Sequence, residues 1–167
     1  MIQVERREDG GIRIVLRADL AEAMRTLPER LREVLERPDV SQRVAARLFP
    51  KAHDDPAEEA EYRRLVGTDL IKKKLAGLEA FEASLDRLKP RRWRSGSSEL
   101  FLRPDEVDAW LGFINDMRLL IGTELGIEDE TWQSKFDARH PHAADFALLH
   151  FLSWLEQLLV EALSRSP

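Results

Sequence analysis

The stretch from Ala143 to Leu163 constrains this chain more than any other. It carries Phe146, Leu148, Leu149, Phe151, Leu152, Trp154, Leu155, Leu158, Leu159 and Val160. At 3.6 residues per turn these side chains cover far more than one face of a helix. An ordinary surface helix hides a single stripe, whereas one that is apolar around most of its circumference must be covered from several sides. The segment is therefore expected at the centre of a helical bundle or at a homodimer interface. Leu149 and Val160 fall on the side that polar residues otherwise claim.

The rest of the chain supplies the covering helices. Pro104 and Asp105 open a helix running to about Leu125, with Val107, Trp110, Ile114, Met117, Ile121 and Leu125 along its apolar stripe and Gly126 as its terminator. Asp55-Pro56 places a capping acid before a proline at the first helical position, and Glu58, Glu59 and Glu61 suit the dipole of that first turn. This helical pattern reaches Leu88, with an interruption expected at Val66-Gly67-Thr68. Upstream, Asp19 with Glu22 resembles a capping box and opens a helix to about Arg37, in which Pro28 predicts a kink or break. Ser41 caps a short helix through Leu48. A polar helix is expected over 128–136.

One β signal stands out. Ile2 and Val4, then Ile12, Ile14 and Leu16, alternate with polar residues around Asp9-Gly10-Gly11, the pattern of a hairpin. A lone hairpin is marginal in water, so its apolar face should lie on the helices. Leu100 to Leu102 reads as a short extended piece. The fold class is mainly α, a helical bundle of five to seven helices with an N-terminal β-hairpin packed on one side. At 167 residues it is one domain: a hairpin over 1–17, helices over 19–88, a basic loop and extended segment over 89–103, and helices over 104–164.

Composition removes several kinds of chemistry. The chain has no cysteine, which excludes disulfides, thiolate metal sites and a cysteine nucleophile. The formal net charge of −5 means that the overall field does not attract nucleic acid. The start MIQVERREDGG lacks the pattern of a secretory leader, and no run of about 18 apolar residues is present, so a cytoplasmic protein without membrane partners is expected. No G-x-S-x-G, phosphate-binding glycine loop, H-E-x-x-H or dinucleotide fingerprint occurs. The expectation is a protein that is not an enzyme and holds no cofactor or metal.

Four strings, RLFPKAHDD at 47–55, RRLVGTDLIKKKLAGL at 63–78, DAWLGFINDMRLLIGTELGI at 108–127 and LHFLSWLEQLLVEAL at 149–163, resemble a bacterial family classed as a domain of unknown function, of the actinobacterial type. The resemblance spans nearly the whole chain. Similar proteins include AosR-like oxidative-stress regulators of transcription, whose sensing is attributed to a cysteine pair. Without cysteine, this chain cannot use that sensing chemistry. What the resemblance leaves is an expected role in transcription or stress control.

Four constellations are worth weighing. Asn115, Arg118 and Gly122 share one helical stripe, while Asp116 and Thr123 share another. They form either a small-molecule or partner site, or a buried polar network reaching Glu124 or the terminal helix, which is the commoner arrangement for charge inside a bundle. Arg87, Lys89, Arg91, Arg92, Trp93 and Arg94 form the densest basic cluster, and an aromatic lies among them. They suit phosphate contact and base stacking, or else a helix C-terminus followed by a solvated loop. Lys72, Lys73 and Lys74 follow the Val66-Gly67-Thr68 break, as in a helix-turn-helix, although Glu58, Glu59 and Glu61 oppose DNA there. His140, His142 and Asp145, with His53, Asp54 and Asp55, could in principle ligate zinc but read more simply as exposed turns. His150 reads as a hydrogen-bonded interior residue.

The leading expectation is a non-enzymatic regulatory or adaptor protein acting through a protein partner, with transcription machinery as the class the resemblance suggests. A homodimer through the last helix is compatible with it. The alternative is a nucleic-acid-binding regulator, with DNA held by the basic 87–94 segment.

Overall fold

Helix starts flagged by Pro and Asp govern the architecture, and the sheet closes one end of it. The computed structural model describes residues 2–90, 96–129, 131 and 139–165. In chain order the elements are β1 (Gln3–Arg6), β2 (Ile12–Arg17), α1 (Ala18–Glu36), α2 (Gln42–Leu48), α3 (Pro56–Leu85), β3 (Lys89–Pro90), β4 (Ser97–Leu102), α4 (Pro104–Glu124) and α5 (Ala143–Ser164). The fold is mainly α, with the expected hairpin packed against the helices. The polar helix expected over 128–136 lies largely outside the described residues.

The hairpin does not stand alone. β4 pairs antiparallel with β2 along its whole length, and β3 pairs with β4, giving a four-stranded sheet in the order β1-β2-β4-β3. The segment expected as a basic loop and a short extended piece therefore supplies two strands. Period-2 alternation sends Ile12, Ile14, Leu16, Leu100 and Leu102 into the core. On the opposite face Arg13 ties three strands together, donating to Glu5 at 2.9 Å and Glu99 at 2.6 Å. Arg6, on the core-facing side of β1, reaches the end of α5 and donates to the carbonyls of Leu163 at 3.0 Å and Arg165 at 2.8 Å. These are carbonyls that a helix end cannot satisfy by itself.

Neither α1 nor α3 is broken where an interruption was expected. α1 runs through Pro28 without a break, and the proline ring is buried with Leu27 and Leu31. Proline removes one intrahelical hydrogen bond, but packing of the apolar face carries the helix across the gap. Likewise Val66-Gly67-Thr68 lies inside α3, which is continuous over 30 residues. A helix-turn-helix is thus not formed at that point. Asp19 does not cap α1 either, because the helix begins at Ala18 and the carboxylate instead accepts from Arg17 at 2.9 Å. That contact lowers its pKa to about 2. Asp55 does cap α3 as expected, accepting from the backbone N–H groups of Ala57 at 3.1 Å and Glu58 at 3.0 Å.

The central helix is α4, not α5. α4 packs against α1, α2, α3 and α5, whereas α5 lies against α4 and β1. α5 turns Leu149, Phe151, Leu152, Leu155 and Leu159 inward but leaves Trp154 and Val160 45% and 49% exposed. Leu149 and Val160, expected together on one side, are split between core and solvent. His150 is exposed instead of interior. Among the described residues α5 is also the one helix long and apolar enough to cross a membrane by length and composition, which the sequence reading did not register.

The hairpin turn fixes how β1-β2 meets β4. Gly10 has a φ of 83°, and Gly11 lies so close to β4 that a Cβ on it would stand 2.5 Å from the carbonyl oxygen of Leu102. Backbone cannot swing aside as a side-chain tip can. Gly11→Ala should therefore destabilise the protein by about 1–3 kcal/mol, read as a lower urea midpoint. An unchanged midpoint would mean that the turn does not abut β4.

Candidate functional site

α4 presents two unlike faces, and the residues singled out in the sequence divide between them. Towards α3 the helices run antiparallel. Phe81 stacks on Phe113 at 3.8 Å between ring centroids and lies 4.7 Å from Trp110. The Trp110 indole N–H donates to the Ser84 hydroxyl at 2.7 Å, and that hydroxyl donates in turn to the carbonyl of Phe81 at 2.7 Å. Ion pairs close both ends of this seam. At one end Lys74 Nζ lies 2.7 Å from Asp116. At the other, the Arg87 guanidinium donates twice to Glu106, at 2.9 and 2.6 Å, in the bidentate geometry that suits a carboxylate.

Beside the Lys74–Asp116 pair the two helices part into a groove of about 450 Å³. Leu31 and Leu70 contribute to its apolar lining, and Gly77 of α3 and Gly112 of α4 open into it. A Cβ added at either glycine would meet nothing within 4 Å. The glycines are therefore not there to admit a close helix contact. Lys73 and Asp108 stand at the rim, and neither has a partner among the described residues.

The other face of α4 looks towards α2 and α5. Asn115, Arg118 and Gly122, expected on one stripe, line a smaller polar recess of about 220 Å³ together with Thr123, Arg47 and Ser153. Arg118 crosses to α5, donating to Ser153 at 3.1 Å and to Glu156. Thr123 donates to the carbonyl of Leu119 at 2.7 Å. So the polar cluster is in part the interhelical network that charge inside a bundle calls for, and in part the wall of a recess. Asp116 belongs to neither, being 5% exposed on the groove side. Glu124, another suggested member, pairs instead with Arg30 of α1 at 2.6 Å.

The basic segment begins with a residue already engaged. Arg87 is bound to Glu106 and also donates to the carbonyl of Phe101 at 3.3 Å. Lys89 is exposed on the short edge strand β3. Arg91, Arg92, Trp93 and Arg94 lie outside the described residues. Of the three lysines that follow Thr68, Lys72 and Lys73 are exposed on α3 and Lys74 is taken by Asp116. His140 and His142 have their rings 5.7 Å apart, and His53 sits edge-on to Tyr62. Among the described residues no group of three or more histidines and carboxylates is placed to hold a metal ion.

What the sequence could not supply is the pairing of distant residues. Gly77, Gly112 and Arg47 carry no local signal of the recesses that they line. With the geometry in place, the family can be stated. Residues 1–163 match the domain of unknown function DUF2017, and the chain belongs to that family. No curated protein and no solved structure matches it.

The two buried carboxylates of α4 titrate in opposite senses. Burial raises the pKa of Glu106, but the hydrogen bonds from Arg87 and from the Arg103 backbone N–H, with the charges of both arginines, bring it below the ordinary glutamate range. For Asp116 burial is the larger effect, and Lys74 offsets it only in part, so its pKa is raised. Glu106 therefore contributes stability that is present above its ordinary pKa and fades as pH falls through and below it. Asp116 contributes stability at low pH that is lost as pH rises through its folded-state value. Urea midpoints between about pH 3 and 7 should show Glu106→Gln closing on the parent as pH drops. Asp116→Asn should gain on the parent as pH rises. Parallel curves for all three proteins would contradict both assignments.

Proposed function

We propose that this protein is a non-enzymatic regulatory or adaptor protein that acts through a protein partner. The observation that carries the reading is the groove between α3 and α4. Protein interfaces draw most of their energy from a few large side chains seated in desolvated pockets with a polar rim around them. An apolar slot of about 450 Å³, with Lys73 and Asp108 at its edge, has that anatomy on one partner. The exposed Trp154 and Val160 of α5 offer a second apolar surface, suited to another copy of the chain. The likeness to AosR-like regulators adds transcription or stress control as the setting, with an input other than thiol oxidation.

The competing reading, a DNA-binding regulator using 87–94, has less to draw on, since the Arg87 charge is already met by Glu106. Gly112→Leu should fill the groove without disturbing the seam, because its Cβ has open space. Affinity capture followed by mass spectrometry should then retrieve a specific protein with the parent and lose it with Gly112→Leu. Equal recovery by both would sink the groove as the docking site. A gel shift that weakens steeply with salt, and disappears when Arg91, Arg92 and Arg94 are all changed to Ala, would favour the nucleic-acid reading.

A further inference from the structure

The smaller recess, nearer the C-terminal end of α4 than the groove, has a different character. We propose that it is a binding site for a small oxyanion, a phosphate or a carboxylate of three or four carbons, held between α2, α4 and α5. The lining contains two guanidinium groups, Arg47 and Arg118, and no carboxylate, in a protein whose formal net charge is −5. Glu156 neutralises Arg118 from outside that lining, so among the described residues one full positive charge faces the recess without an answering anion.

Counting hydrogens sharpens the chemistry. Among the described residues Arg47 and Asn115 have no hydrogen-bond or ion-pair partner. Arg118 uses Nε on Ser153 and one Nη1 hydrogen on Glu156, which leaves the hydrogens of Nη2 to donate. Ser153 accepts from Arg118, so its own hydroxyl hydrogen remains available. Thr123 alone has its hydrogen committed, to the Leu119 carbonyl. The recess thus offers several uncommitted donors and no carboxylate, the complement of a carboxylate or phosphate. At a water's share of about 30 Å³, 220 Å³ is the space of roughly seven waters. That admits phosphate or a short acid. Leu119, Ile127, Leu149 and the open Cβ position of Gly122 make the remaining wall.

This site is independent of the α3–α4 groove, and purified protein alone tests it. Thermal unfolding and calorimetric titration would be run with sodium phosphate, with sodium succinate, and with sodium chloride at matched ionic strength. The expected result is a saturable rise in Tm with phosphate or succinate that chloride does not reproduce. Whichever of the two binds tells phosphate from carboxylate. Arg47→Ala, an exposed residue with no partner among the described residues to orphan, should weaken that binding at least tenfold, and Gly122→Leu should abolish it. A shift that chloride matches, a response that never saturates, or parent-like affinity in Arg47→Ala would each overturn the site.

Discussion

The clasp between α3 and α4 is the interaction on which the rest of the structure depends. Phe81, Trp110 and Phe113 form a continuous aromatic contact, and the Ser84 hydroxyl satisfies the one polar group that Trp110 brings into it. An indole N–H left without an acceptor at this depth would cost about 1–3 kcal/mol. The small hydroxyl at position 84 therefore matters more than its size suggests. Because Lys74–Asp116 and Arg87–Glu106 bracket the seam, the helices are fixed in register as well as in contact. Sliding by one turn would bury charge opposite apolar side chains.

Once α4 is fixed against α3, its remaining surface is available to the other helices. α2 and α5 pack on it, and Arg118 joins α5 through Ser153 and Glu156. The sheet completes the arrangement. Its inner face extends the core, Arg87 bridges from the end of α3 to the carbonyl of Phe101 in β4, and Arg6 of β1 satisfies the carbonyls that end α5. The hairpin thus has two roles. It supplies apolar cover and also the donors that the last helix lacks.

Much of this was legible in the sequence, and the reasons are local. Asp55-Pro56 and Pro104-Asp105 announce helix starts through the chemistry of a few adjacent residues, and both helices begin there. The hairpin follows from alternation around two glycines. The failures share a different cause. Pro28 and Gly67 carry local penalties of the kind that end helices in isolation, yet burial around Pro28 and the length of α3 outweigh them. β4 escaped notice as a full strand because its partner β2 is distant in sequence, so no turn signal links the two. α5 looked central because apolar content is readable, but whether apolar surface faces a core or solvent is not. The stripe of Asn115, Arg118 and Gly122 was readable as a stripe, whereas Arg47, from a different helix, could join it only in three dimensions.

Electrostatics then narrows where recognition can occur. Most of the arginines described here are engaged within the fold: Arg13 with Glu5 and Glu99, Arg30 with Glu124 and Asp145, Arg32 with Glu82, Arg63 with Glu59, and Arg87 with Glu106. A charge already held at hydrogen-bonding distance contributes little to a new contact, because the existing pair must be given up first. The surface that can gain most from a ligand is therefore the surface that the fold leaves unanswered. On α4 that means the apolar, glycine-lined slot and the recess whose lining, among the described residues, holds two guanidinium groups and no carboxylate. One helix, fixed by a single aromatic seam, thus lines two recesses of opposite character at successive points along its length. A ligand in the recess would brace α2 and α5 against the helix that also forms the wall of the groove.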